Sequence, residues 1–145
     1  MASEQDSLGF LVADLSRMMR QAFQRRLRGS SITLAQARAL VYLARHQGIR
    51  QIDLAKLLEV QPITLARLID QLAEAGLVER HADAADRRAY RMYLTDAATP
   101  HLTAIREVGA AIQADVLRDL DKQEAAAVLG ALGKMRRNLA SSREC

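Results

Sequence analysis

The chain has 145 residues, half of them hydrophobic but only 3% aromatic and none of them Trp, a palette of Leu, Ala, Ile, Val and Met that suits packed helices. With 26% charged residues and two prolines, the composition argues against both a disordered chain and a turn-rich β-sandwich. A formal charge of +4 and a sequence pI of about 9.7 suit an anionic partner without naming one.

Leu8, Leu11, Leu15, Met18 and Ala22 recur at three-and-four spacing, with Val12, Met19, Phe23 and Leu27 beside them. This predicts a long first helix ending near Gly29-Ser30-Ser31, its other face carrying Arg17, Arg20, Arg25 and Arg28. Apolar residues on more than one side of it ask for a surface beyond its own domain. A dimer interface answers that; an intrachain bundle is the plainer alternative. Thr33-Leu34-Ala35-Gln36 reads as a capping box opening a second helix, with Leu34, Ala37, Leu40, Val41 and Ala44 inward and Gly48 closing it. Gln51 to Leu58 is a short third helix with Ile52, Ala55 and Leu57/Leu58 as its apolar points. After Glu59-Val60-Gln61, Pro62 opens a fourth helix with Leu65, Leu68, Ile69 and Leu72 inward and Gly76 at its end.

The period then changes. Leu77 to Arg80 and Tyr90 to Leu94 are short β-favouring runs around a polar loop, His81 to Ala89, and predict a two-stranded hairpin. Thr95 is placed to cap a fifth helix through Leu102, Ile105, Val108, Ile112, Val116 and Leu120. Asp121 to Glu124 caps a sixth through Val128, Leu129, Leu132, Met135 and Leu139. The fold class is mainly α with a small β-hairpin.

Chemistry of the catalytic kind has no foothold. There is no Ser or Cys beside a His, no glycine-rich phosphate loop and no metal-ligand spacing, so no catalytic residue, metal or cofactor is expected. His46, His81 and His101 are scattered over three elements, and Asp115, Asp119 and Asp121 read as solvated acids near a helix end. The lone Cys145 allows no intramolecular disulfide and reads as an inert terminal thiol. No basic cluster opens the chain and no apolar run nears the ~20 residues of a membrane span, so a cytoplasmic protein without a membrane partner is expected.

The third helix, tight turn and fourth helix have the dimensions of a helix-turn-helix, with the hairpin as a wing. With its inward face taken, the fourth helix offers Gln61, Pro62, Ile63, Thr64 and Arg67 outward. Gln61 and Thr64 are short polar readers, and Arg67 can fork onto a guanine edge. In the wing, Asp86 is placed to brace Arg88 while Arg87 or Arg88 probes a minor groove. Arg50, Lys56 and Arg80 are candidate phosphate contacts, with ordinary surface charge as the alternative. Eighteen of the 21 basic residues are Arg, which is compatible with nucleic acid and also with a GC-rich genome.

The stretches Gln51-Ile52-Asp53-Leu54-Ala55-Lys56-Leu57-Leu58, Gln71-Leu72-Ala73-Glu74-Ala75-Gly76-Leu77-Val78-Glu79-Arg80, Asp86-Arg87-Arg88 and Tyr93-Leu94-Thr95 resemble the MarR family of bacterial transcription regulators. Leu8-Gly9 and the arginines of the first helix resemble its SlyA-like branch. The resemblance implies a winged helix-turn-helix over residues 32–96, with long N- and C-terminal dimerisation helices in 1–31 and 97–145. It implies a homodimer on a pseudo-palindromic double-stranded operator, with the recognition helix 61–75 in the major groove and the wing 81–91 in the minor groove. By position, Arg67 is similar to the family's major-groove arginine, Arg88 to its wing-tip arginine and Asp86 to that residue's support. It further implies a repressor or anti-silencer released by a small aromatic or anionic effector, for which Met19, Phe23, Ala37, Val41 and Tyr42 are the candidate pocket.

Three positions depart from the family pattern. Glu59 stands where a turn glycine is frequent, Arg50 where a capping Ser or Thr is common, and Ala37 where SlyA-like members can carry a large aromatic. No Cys lies in the first helix, where peroxide-sensing members place one. The alternative function is a winged-helix protein-interaction module that has lost DNA binding, for which Asp70 and Glu74 leave room.

Overall fold

The structure, a computed structural model, describes residues 6–142; Cys145 lies outside them. The helices are α1 (Leu8–Arg26), α2 (Leu34–Arg45), α3 (Gln51–Leu58), α4 (Pro62–Glu74), α5 (Thr99–Val116) and α6 (Lys122–Ser141). An antiparallel hairpin, β1 (Val78–Ala82) and β2 (Tyr90–Leu94), follows α4, and a short 3-10 turn (Asp96–Ala98) precedes α5. By packing, the chain divides into two compact units, one running up to Gly109 and one from Ala110. The fold is the expected mainly helical one, with one hairpin among the described residues, placed as a wing.

In the first unit α2 is central. Its start is the expected capping box, in which Gln36 N donates to Thr33 Oγ1 (3.2 Å) and Thr33 N to Gln36 Oε1 (3.0 Å). Its buried stripe is rotated from the expected one: Ala37, Ala39, Leu40 and Leu43 are buried, while Leu34, Val41 and Ala44 are only half-buried. In α3 the phase also differs. Leu54, Ala55 and Leu58 enter the core, and Ile52 and Leu57 face solvent. Eight residues contain two turns, too few for the sequence period to fix which apolar side faces inward. α4 buries Leu65, Ile69 and Leu72, with Leu68 half-buried beside them.

The turn from α3 to α4 is closed by Glu59 at φ 56°, ψ 42°. Glu59 N donates to Lys56 O (3.2 Å) and Val60 N to Ala55 O (3.0 Å), the bonding of a glycine-type helix stop made with a residue that carries a Cβ. The left-handed region costs a non-glycine residue about 1–2 kcal/mol. Glu59→Gly is therefore expected to raise stability by about 1 kcal/mol after the greater freedom of the unfolded chain is counted, read as a higher urea midpoint at unchanged slope.

The hairpin pairs Val78 with Leu94 through Ala82 with Tyr90. The first strand thus starts one residue later than expected and runs on through His81 and Ala82, shortening the loop to 83–89. Leu77 instead closes α4, its amide donating to Leu72 O (2.9 Å). On the other side of β2, Gly48 N donates to Met92 O (2.8 Å), Met92 N to Ile49 O (2.9 Å), and Arg50 bridges Arg91. Gly48 sits at φ 86°, and a Cβ there would come within 3.2 Å of the Tyr93 hydroxyl, so the approach requires glycine.

Thr95 does not cap with its side chain. Its Oγ1 donates to Gly76 O (2.6 Å), and the 3-10 turn intervenes before α5. α5 sends Leu102 and Ile105 into the core and ends at Val116, so Leu120 lies beyond it. α1 buries no residue completely; Phe23 and Leu27 pack against the core, while Leu8, Leu11, Leu15 and Met18 are exposed. In the second unit the Asp121–Glu124 capping box forms as expected. α6 likewise buries none of its residues and exposes Val128, Leu129, Leu132, Met135 and Leu139.

Candidate functional site

At 100° per residue, the buried Leu65, Ile69 and Leu72 dictate what α4 shows to solvent. Arg67 lies two residues past Leu65 and Ile63 two before it, so both turn away from the core. With Gln61, Pro62 and Thr64 they are exposed. Gln61 is the N-cap but makes no side-chain cap bond, and Pro62 occupies the first turn. Arg50, standing where a capping Ser or Thr is common, is the N-cap of α3 and makes no side-chain cap bond. Two neighbouring helices therefore begin with amides that no side chain caps.

In the wing, Asp86 holds the loop rather than a guanidinium. Arg88 N donates to Asp86 Oδ1 (3.0 Å) and Ala89 N to Asp86 O (3.0 Å), a turn that presents the Arg88 side chain outward. Arg87 and Arg88 are exposed, and neither they nor Arg67 form an ion pair with another described residue.

The wing root is organised by a residue that sequence reasoning missed. The Asp83 side chain is only 4% exposed. Arg50 Nε and Nη2 both reach its Oδ2 at 2.9 Å, and Arg91 Nε reaches it at 3.2 Å. Ala85 N donates to Oδ1 (2.9 Å). That amide bond, followed by the charges of Arg50 and Arg91, holds the carboxyl below the ordinary aspartate range against the opposing effect of burial. Arg50 is thus engaged with Asp83, although it is only partly covered.

Arg80 acts as a clasp: Nε donates to Gln51 Oε1 (3.0 Å), and Nη2 donates to Ala66 O (3.1 Å) and pairs with Asp70 Oδ1 (2.6 Å). It ties β1 to α3 and α4 and answers the Asp70 charge. Lys56 is exposed on α3. Arg50, Gln51, Ile52, Pro62, Arg88, Ala89 and Tyr90 line an open cleft of about 230 Å³. It brings the start of α3, the start of α4 and the wing onto one border.

Of the candidate effector residues, Ala37 is inside the core. Phe23, Val41 and Tyr42 are half-buried against that core, and Met19 is exposed. His81 stacks on Tyr93 at 4.6 Å and lies 3.1 Å from Glu79. Among the described residues there is no group of His, Cys, Asp or Glu suited to a metal, and no helix long and apolar enough to cross a membrane.

Residues 32–90 match the model of the MarR family. A crystal structure of MarR is 25% identical to this chain, covers 99% of it and 98% of its own length, and superposes with a TM-score of 0.87. A MepR–DNA complex from S. aureus is 27% identical, with 94% and 99% of the two chains covered and a TM-score of 0.70. The transcriptional regulator SlyA is 25% identical, with 92% and 94% covered and a TM-score of 0.73. Over residues 32–90 this chain is thus similar to the MarR family, on a fold shared with MarR and the transcriptional regulator SlyA.

Proposed function

We propose that this protein is a homodimeric transcription regulator that binds double-stranded DNA sequence-specifically through residues 32–96. α4 enters the major groove, with Gln61, Thr64 and Arg67 toward base edges. The wing reaches the adjacent minor groove, where Arg87 or Arg88 meets the concentrated negative potential of a narrow A·T tract. The observation that carries this reading is the set of guanidiniums of Arg67, Arg87 and Arg88, unanswered among the described residues, around a winged helix-turn-helix. The cleft beside the wing and the two uncapped helix starts suit a phosphate strand crossing between the grooves, helix amides and dipoles both favouring an anion there. Lys56 is free to add a phosphate contact. Arg50 can do so only while sharing its charge with Asp83, and Arg80 serves as a clasp. That a relative of matching length was crystallised on DNA supports the same reading.

The exposed apolar residues that recur along α1 and α6 support the dimer, since contiguous apolar surface marks interaction sites. Two symmetry-related reading helices then call for an inverted repeat. Repression or anti-silencing, and release by a small aromatic or anionic effector along Phe23, Val41, Tyr42 and Met19 above Ala37, complete the proposal. The SlyA-like branch remains part of it. A protein-interaction module without DNA binding draws less support, because Asp70 is neutralised by Arg80 and only Glu74 stays as an acidic handle.

The test is selection of bound duplexes from random DNA, followed by affinity measurements across a salt series with sedimentation to count chains. The expected result is an inverted repeat bound by two chains, with log affinity falling linearly in log salt by about 0.9 per phosphate neutralised. Absence of any specific complex at low salt would defeat the proposal. Repeating the selection with a metabolite panel would identify the effector by loss of recovery.

A further inference from the structure

Ile63 stands out on the proposed reading face. Its side chain is 64% exposed, the most exposed large hydrophobic residue of the winged domain, although it lies on a helix whose inward stripe is complete without it. Arg67 follows four residues later, about 40° round the helix and roughly 6 Å along it, and so shares its face. Thr64 is adjacent, and the surrounding charges are Arg67, Arg87 and Arg88, unpaired among the described residues. A face this cationic suits a polyanion, yet a bare branched alkyl group at its leading edge needs an apolar counterpart on that polyanion. On the major-groove edges of DNA bases the one such group is the 5-methyl of thymine.

From this we infer that Ile63 is a specificity-determining residue that selects a thymine in each half-site by packing on its 5-methyl. The inference rests on the DNA-binding reading and deepens it. Spacing along α4 locates the thymine one or two base steps from the guanine contacted by Arg67, since 6 Å of helix spans about two base-pair rises of roughly 3.4 Å each. Thr64 cannot take over this role without turning its hydroxyl from the base edges.

The experiment uses the full chain and the duplex recovered by selection, in which each thymine is replaced singly by deoxyuridine. This removes one methyl and leaves the pairing edge and the O4 acceptor unchanged. The expected result is one position per half-site at which the wild type loses about threefold to fivefold in affinity, the worth of one buried methyl. Ile63→Ala should bind the thymine and deoxyuridine duplexes equally, and Ile63→Val should keep part of the preference. Because Ile63 buries little, both variants should melt like the wild type. Equal wild-type affinity for every deoxyuridine duplex, or a penalty that persists unchanged in Ile63→Ala, would overturn the inference while leaving DNA binding intact. A chain that retains no duplex at all would overturn the underlying reading, and this inference with it.

Discussion

Arg67→Ala is expected to weaken binding to the selected duplex by about 1–3 kcal/mol, roughly 5- to 150-fold, and to flatten the base preference at one position of each half-site. The size follows from what Arg67 lacks in the free protein. Among the described residues it has no acid partner, and its side chain is exposed, so almost nothing intramolecular is lost on truncation and the effect falls on the complex. Arg67→Lys separates charge from shape. The ammonium retains attraction to the groove but not the planar fork, so the salt slope should hold while discrimination falls. Arg88→Ala should lose preference for A·T-rich flanks and leave the Arg67 position unaffected. A variant Arg67→Ala that kept both affinity and base preference would show that α4 does not read the groove in this orientation.

Asp83→Asn is expected to lower stability and loosen the wing root, with a larger fall in melting temperature than either Arg50→Ala or Arg91→Ala gives alone. One carboxylate answers two guanidiniums, so its neutralisation removes both ion pairs at once, whereas removal of either arginine leaves the other pair standing. The sign with pH follows from the lowered carboxyl pKa. The ionised form is favoured by folding, so its contribution is complete above the unfolded aspartate value of about 4 and is lost as pH falls through the lower folded value. The gap in melting temperature between wild type and Asp83→Asn should therefore be full at neutral pH and narrow as the solution is taken down to about pH 3. A gap that stayed constant over that range would mean that the charge of Asp83 contributes nothing to the fold.

Features decided within a few residues were legible in the sequence. The Thr33–Gln36 and Asp121–Glu124 boxes formed because donors and acceptors three residues apart meet whenever a helix starts. The bounds of α3 and α4 followed from Pro62 and from Gly76, whose φ of 78° suits a helix stop. The winged arrangement followed from the change of hydrophobic period after Gly76 together with the family resemblance. What escaped depended on distance in sequence. Arg50 and Asp83 are 33 positions apart, and nothing near either one signals that they meet. Thr95 looked like a cap because a hydroxyl before a helical run usually is one; the carbonyl of Gly76, 19 positions earlier, competed successfully for it. In the candidate site, the outward set on α4 was legible because its inward set was complete. The wing loop was less so: an Asp two residues before an Arg suggests an ion pair, and Asp86 instead bonds the backbone amide.

The stitching of residues 48–50 onto β2 constrains how the wing can move. Gly48 and Ile49 share two backbone bonds with Met92, and the next residue, Arg50, is both the N-cap of α3 and a ligand of Asp83 at the wing root. The hairpin is therefore a splint rather than a hinged flap, because any swing of β2 would drag the beginning of the helix-turn-helix with it. Only the seven residues of the tip, 83–89, retain independent play, and Asp83 and Asp86 pin two points of that arc. In the proposed complex, tip arginines mounted in this way would meet the duplex at a set offset from α4, and the distance between contacted grooves would be a quantity the protein measures rather than one it accommodates.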